Sequence, residues 1–244
     1  MSVVTNQITR WTCLTTALLL LLGAVPVAAE EIPETTGTME FKFGPYMPRV
    51  DDAFDGTGPY EAFYGNSSMR YGEFAVDYHL WQGIGKLSLG GHLGYGRVRG
   101  LVRDETGATL DVDERTSFRI IPVRGSLVYR FDYVALAYNI PLVPVVKGGL
   151  NYNFWRSKTP AGETATVNGQ RGSGGKMGWH TTVGIHLHLN FFDRSSAAAF
   201  DMSWGIANSY FFFEHNWNRV GGFGDEGGLD LSANHWALGL AFEF

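Results

Sequence analysis

Cysteine is almost missing: Cys13 is the single one in 244 residues. That excludes a disulfide framework, and it argues against thiol catalysis or a cysteine-ligated metal. Positive charge is scarce as well. Lys and Arg number 19 against 24 Asp and Glu, for a net charge of −5, which gives no electrostatic footprint for nucleic acid. Past a short run near the start, no stretch approaches the ~18 unbroken apolar residues of a spanning helix, so a helical multi-pass protein is excluded. Disorder is excluded too, because 45% of residues are hydrophobic and only 18% charged. What the chain has in excess is glycine, with 32 residues, nearly double the usual share of ~7%. Proline, at 9, follows no period. This composition predicts many tight turns and small side chains inside strands.

Arg10 is the only charge among the first 29 residues. It precedes an apolar run from Leu14 to Val25, followed by Pro26-Val27-Ala28-Ala29. A basic start, a short apolar centre and small residues before Ala29 predict a secretory signal peptide over 1–29, cleaved after Ala29. An uncleaved membrane anchor is the alternative, for which the run is short. Residues 30–37 are polar and aperiodic and are expected to form a short exposed lead-in. Residues 38–244 form the domain.

From Thr38 onward the hydropathy alternates with a period of two, the spacing of strands. In the run 178–191, Trp179, Thr181, Val183, Ile185, Leu187, Leu189 and Phe191 share one face, against His180, Thr182, Gly184, His186, His188 and Asn190. At the end of the chain Trp236, Leu238, Leu240, Phe242 and Phe244 alternate with Ala237, Gly239, Ala241 and Glu243. Runs at 38–47, 73–81, 86–99, 117–130, 142–155 and 206–219 complete eight strands; the last is the weakest, because both its faces are aromatic. The connections after the odd-numbered runs, near 48–72, 100–116, 156–177 and 220–229, are long and polar. The link 82–85 is a tight turn. Residues 192–205 predict a short helix, with Asp193 as N-cap and Gly205 at the C-cap.

In a soluble sandwich the apolar faces meet in a core. In a membrane barrel they face lipid, and small or polar residues fill the lumen. Three features select the barrel. The polar faces are glycine-rich, at Gly90, Gly94, Gly96 and Gly184, which suits a crowded eight-stranded interior. Aromatic residues such as Tyr95, Tyr129, Trp155, Trp179 and Trp236 mark the ends of the apolar faces, as interfacial girdles do. The chain ends on Phe244 after alternate apolar residues. An even strand count puts both termini on one side, the periplasm. The fold expected is therefore all-β: an eight-stranded antiparallel transmembrane barrel with a short periplasmic-side helix.

The ending Trp236, Leu238, Leu240, Phe242, Phe244 resembles the C-terminal signal of outer-membrane β-barrel proteins, which the barrel-assembly machinery recognises. Met39-Glu40-Phe41-Lys42-Phe43-Gly44-Pro45-Tyr46, Ile121-Pro122-Val123-Arg124-Gly125 and Lys147-Gly148-Gly149-Leu150-Asn151-Tyr152-Asn153-Phe154-Trp155 are similar to segments of a family of exported outer-membrane barrels of unassigned function. The resemblance implies fold and location: a small porin-like or OmpA-like barrel in a bacterial outer membrane, with outer-membrane lipid as its surroundings. It implies no reaction and no catalytic residue.

The alternation places Glu40, Lys42, Asp77, His79, His92, Arg124, Lys147, His180, His186, His188, Glu214 and Glu243 on the inner face. A paired polar network packing the lumen is expected, since buried charges need partners; a narrow conducting path through the same groups is the alternative. His186 and His188, two apart, with His180 six residues earlier, suit a metal in spacing, but no third ligand is evident, so no metal and no cofactor is expected. A lipid-modifying enzyme would need a serine, a histidine and an acid together. Ser203, Ser209, Glu214 and His215 offer no recognisable spacing, so no catalysis is expected. A soluble secreted barrel holding a small apolar ligand would need an apolar inner face. The acidic outer stretches with Asp51, Asp52, Asp55, Arg103, Asp104, Asp111, Asp113 and Glu114 are expected to be solvated surface rather than a calcium site. The expected role is structural, surface-interacting or a narrow pore, with the extracellular partner unknown.

Overall fold

The computed structural model describes residues 34–53, 58–101, 115–138, 140–167, 170–222 and 229–244. The leader over 1–29 lies outside them, as do Asp55, Arg103, Asp104, Asp111, Asp113 and Glu114. Eight long strands form the wall: β1 Gly37–Tyr46, β2 Met69–Gln82, β3 Lys86–Leu101, β4 Arg115–Arg130, β5 Leu142–Lys158, β6 Ser173–His188, β7 Asn208–Arg219 and β8 Ala233–Glu243. Each pairs antiparallel with its sequence neighbours. β8 returns to β1, with Thr38 opposite Glu243, so the sheet closes and no edge is left. A two-residue hairpin, Thr166–Val167 with Gln170–Arg171, sits apart in the connection between β5 and β6.

Closure is obligatory for a sheet in hydrocarbon, where an unpaired backbone group finds no water. The register fixes the geometry. Stepping across the strands from Thr38 leads through Asp77, Gly90, Ser126, Gly149, His180, Asn218 and Ala233, and meets β1 again at position 48, a shear of ten residues. With eight strands this corresponds to a tilt of about 40° and a backbone radius of roughly 8 Å.

The apolar faces point outward. Leu240 is 42% exposed, Ile185 45% and Leu89 54%, whereas His186 and Glu243 on the alternate positions are fully buried. The outward apolar residues run from Leu87 to Tyr95 on β3 and from Leu142 to Phe154 on β5. At the strand rise and tilt above, these runs span about 20 and 30 Å, which brackets the ~25 Å apolar band of membrane barrels.

Both ends of the interior differ from a uniformly polar lumen. At the end carrying the long connections, Tyr46, Met69, Tyr71, Val98, Phe118 and Ile120 form an apolar cluster with Val50, Tyr60, Val220 and Leu231. Val50 belongs to a 3-10 turn at Val50–Ala53, and Tyr60 to helix α1, Pro59–Tyr64. The first outer connection thus folds into a lid rather than a purely polar loop. Asp51 holds it, accepting from the backbone N–H groups of Tyr60 at 2.6 Å and Glu61 at 2.9 Å. At the other end, Val128, Val143, Val145, Tyr210, Phe212 and Ala241 form a second cluster with Ala135 of α2, Tyr133–Tyr138.

The lead-in is not wholly exposed. Thr35 is buried in the mouth, where its hydroxyl donates to Glu243 Oε1 at 2.9 Å. The strand expected to run to Phe191 stops at His188, because Leu189–Phe191 forms a 3-10 turn. The expected helix is α3, Arg194–Trp204. Asp193 caps it, accepting from Ser196 N–H at 3.0 Å, and the Ser196 and Ser195 donors hold its carboxyl down at about 2. Gly205 takes the left-handed conformation at its C-cap, at φ 67°. None of its residues is buried, so α3 does not enter the mouth.

The inner glycines mark where large side chains lie opposite. A Cβ on Gly184 would stand 2.5 Å from Glu214 Cγ and one on Gly94 2.5 Å from the Tyr71 hydroxyl, while one on Gly91, on the outer face, meets nothing within 4 Å. Gly184→Val is therefore expected to lower stability by about 1–3 kcal/mol, and Gly91→Ala to leave it unchanged. Urea unfolding in lipid vesicles, followed by heat-modifiable gel mobility, measures both.

Candidate functional site

The barrel interior gathers the titratable side chains into one chain of ion pairs. It starts at the mouth beside the termini, where Lys86 Nζ meets Asp132 at 3.1 Å and Glu243 at 2.5 Å. Arg130 links Glu243, at 3.8 Å, to Glu40, at 3.5 Å. Lys147 bonds Glu40 and lies 2.7 Å from Glu214. Lys42 joins Glu214 at 3.2 Å to Glu73 at 3.0 Å, and Arg124 ends the series on Glu73 at 3.2 Å. Acid and base alternate at every step: Asp132, Lys86, Glu243, Arg130, Glu40, Lys147, Glu214, Lys42, Glu73, Arg124. All ten are buried, and they come from seven of the eight strands and the turn after β4. β6 joins through His186, whose Nε2 lies 3.3 Å from Glu214 Oε1.

Tyrosines and histidines complete the packing. The Tyr71 hydroxyl donates to Glu73 and accepts from Arg124 at 2.9 Å. Tyr210 donates to Glu243 at 3.1 Å, and Arg130 lies over its ring at 5.2 Å. Phe212 stacks on His186, with centroids 4.7 Å apart, beneath the Lys147 ammonium. The room for Phe212 comes from its cross-strand partner Gly239, where a Cβ would lie 2.3 Å from the ring.

The sequence assigned Glu40, Lys42, Asp77, His79, His92, Arg124, Lys147, His180, His186, His188 and Glu243 to the lumen. The structure buries all of them except His188, which is half-buried at the mouth and pairs with Asn208 Oδ1 at 2.9 Å. Asp77 stands apart from the chain. Neither of its oxygens has a hydrogen-bond partner, and its contact is His92 Nε2 at 4.0 Å. Glu73, Lys86, Arg130 and Asp132 were missed. The first three share parity with Asp77, His92 and Arg124 on their own strands, so continuing the alternation by a few residues would have found them. Asp132 lies beyond the strand end and carries no periodic signal.

The three histidines do not converge. His180 Nε2 contacts Ser126 Oγ at 2.9 Å, while His186 and His188 reach Glu214 and Asn208. Among the described residues the group with metal-ligand proximity is Glu40, His186 and Glu214. Lys147 bonds both of those carboxylates, so the protein's own ammonium already supplies the cation there. On the outer face His215 is flanked by Trp236 and Trp217, at ring centroid distances of 4.2 and 4.3 Å. Its direct cross-strand neighbours are Val183 and Trp236, so no hydroxyl nucleophile stands directly beside it. Trp236, Leu238, Leu240, Phe242 and Phe244 all lie on the outer face of β8 and just beyond it.

An apolar exterior around a closed sheet, with a charged interior sealed from solvent, defines an integral membrane β-barrel of the outer-membrane type. Several solved outer-membrane proteins are similar to it in structure at low sequence identity. A major outer membrane protein from Thermus thermophilus is 14% identical, with a TM-score of 0.48 over 87% of this chain and 100% of its own. OprG from Pseudomonas aeruginosa is 11% identical, with a TM-score of 0.47 over 86% and 97%. Ail, the attachment invasion locus protein of Yersinia pestis, solved with the heparin analogue sucrose octasulfate, is 11% identical, with a TM-score of 0.44 over 86% and 97%. No family model and no curated protein matches the sequence.

Removing a shared carboxylate leaves two buried cations with one partner each and a net positive charge in the lumen, a loss on the scale of about 3–5 kcal/mol for a broken buried pair. Glu214→Ala, which deprives Lys42, Lys147 and His186, is expected to fall in that range. Asp77→Asn, which removes a carboxylate outside the chain, is expected to be neutral or stabilising. Unfolding midpoints in vesicles distinguish the two.

Proposed function

We propose that the protein is an integral barrel of a bacterial outer membrane whose interior is a closed plug, and that it acts through its surfaces rather than by transport or catalysis. The observation that carries this reading is the alternating chain from Asp132 to Arg124, which fills the lumen with paired charge and, among the described residues, leaves no continuous line of uncompensated charge for an ion to follow. The apolar lid of Val50, Tyr60, Phe118, Val220 and Leu231 supports it, because hydrocarbon packed across the mouth is a poor path for ions. The surroundings of His215 support a non-catalytic reading: a histidine clasped between two indoles suits the interfacial aromatic girdle.

Delivery belongs to the same proposal. The leader over 1–29 directs export and is cleaved after Ala29. The outward row Trp236, Leu238, Leu240, Phe242, Phe244 is presented to the barrel-assembly machinery before β8 closes on β1.

Planar-bilayer recording of folded protein tests the plug. Protein verified as folded by heat-modifiable mobility is expected to give no stable ohmic steps. A reproducible open conductance from the wild type overturns the proposal.

A further inference from the structure

Positive charge on the outer wall gathers on one face. Arg70 of β2 stands opposite Arg97 of β3, Arg97 opposite Arg119 of β4, and Arg119 opposite Arg156 of β5. All four occupy outward positions, so four guanidinium groups form one unbroken row across four neighbouring strands. Directly cross-strand residues have Cβ atoms about 5 Å apart, and like charges so placed repel. Inside the barrel, Arg124 and Arg130 each have a carboxylate partner. Here, among the described residues, none of the four has one, and the Nε atoms of Arg97 and Arg119 are shielded without any hydrogen-bond partner. Among the described residues the row is thus left short of anions.

Its height says which anion is at hand. The register row immediately beneath holds Gly72, Tyr95, Ile121 and Phe154, where the apolar band ends. The arginines are the next outward position on each strand, at the end bearing the long connections. The shear lifts successive register positions by roughly 3 Å per strand, so the row climbs about 9 Å from Arg70 to Arg156. The headgroup zone of a leaflet is on the order of 5–8 Å thick. The climb is comparable to that thickness, so the row crosses the headgroup zone from the edge of the apolar band outward. Arginine's planar fork suits phosphate in particular, since it offers two parallel donors to two oxygens. Elsewhere around the same rim, Trp179, Trp217 and Trp236 take the outward positions, and Arg219 is already engaged with Asn234 Oδ1 at 2.8 Å.

We propose that the row Arg70, Arg97, Arg119, Arg156 binds the phosphate groups of anionic lipid in the outer leaflet, fixing lipid against the β2–β5 face. The occupant is defined by its chemistry: a phosphate-bearing headgroup whose acyl chains lie along Tyr95, Ile121 and Phe154.

The test uses the full folded protein in phosphatidylcholine vesicles doped with bisphosphorylated lipid A, re-extracted in mild detergent, with the retained lipid counted by native mass spectrometry. Wild-type protein is expected to retain lipid A at least about tenfold better than the R70Q/R97Q/R119Q/R156Q variant, the scale of a few charge-assisted contacts. Retention is expected to fall as salt rises and to vanish for lipid A stripped of both phosphates. If the fourfold variant fails to fold, R70Q/R156Q, altered at the two most exposed positions, makes the same comparison. Equal retention by wild type and folded variant overturns the proposal, as does equal retention of dephosphorylated lipid. A soluble sulfated sugar that binds the row more tightly than the lipid also overturns it, in favour of a glycan ligand. None of these readouts depends on whether the lumen conducts.

Discussion

The structure depends on the neutralisation of charge in a space that water scarcely reaches. Eight strands at a shear of ten enclose a cylinder of roughly 8 Å backbone radius, so inward side chains from opposite walls meet near the axis. A charge placed there finds no hydration shell, and leaving it unpaired costs several kcal/mol. The answer is a single file in which each carboxylate lies beside a cation and each cation, up to the terminal Arg124, between carboxylates. Glu214 touches Lys42 and Lys147; Lys147 touches Glu214 and Glu40. Glycines make the file possible. Gly94 admits the Tyr71 ring, Gly239 admits Phe212 and Gly184 admits Glu214, so bulk on one strand meets space on its neighbour.

A hydrocarbon core would fill the same cylinder, and buried ion pairs are often no more stabilising than apolar packing. What the pairs add is register. In a strand of period two, a slip by one residue turns every side chain through the wall. Slipping β1 by one would carry Glu40 and Lys42 into lipid and bring Phe41 and Phe43 among the charges. Lys42 answers to β2 and β7 at once through Glu73 and Glu214, and Glu40 answers to β4 and β5 through Arg130 and Lys147. A misaligned strand therefore breaks contacts with strands it does not adjoin, in addition to its own ladder. Apolar side chains, which tolerate sliding, impose no such penalty.

The wall was legible in the sequence because lipid and lumen impose opposite polarities on alternate residues. Leu187 beside His186, and Phe242 beside Glu243, are enough to assign both faces, and the strand over 206–219 survives its two aromatic faces because Tyr210 and Phe212 turn inward onto His186, Arg130 and Lys147. What was not legible is what lacks a period. The lid is made by Val50 and Tyr60, embedded in a stretch rich in Asp and Gly that reads as solvated loop; only the closed fold carries them over the mouth. The partners within the chain are also invisible, since parity places Lys42 and Glu214 on the inside without saying that they meet. The arginine row is subtler. Each of its members looks like an ordinary charge at a strand end, and only the register of three successive pairings sets all four side by side.

Inside and outside then divide two tasks. The interior, Asp77 apart, pairs its charges with one another, and that pairing contributes to the fixity of the fold. The exterior is apolar almost throughout, yet concentrates four cations in one row on the β2–β5 face and tryptophans on the remainder of the rim. A barrel with a uniform girdle would treat lipid alike on every side; this one presents guanidinium groups on one flank and indoles on the other. On the lipid-binding proposal such an asymmetry orders the neighbouring lipid by side, and the register-locked wall holds the four guanidinium groups at the spacing of adjacent strands. The paired interior and the patterned surface are in that sense one design: the register fixed by the buried ion pairs is what gives the outer row a definite shape to present.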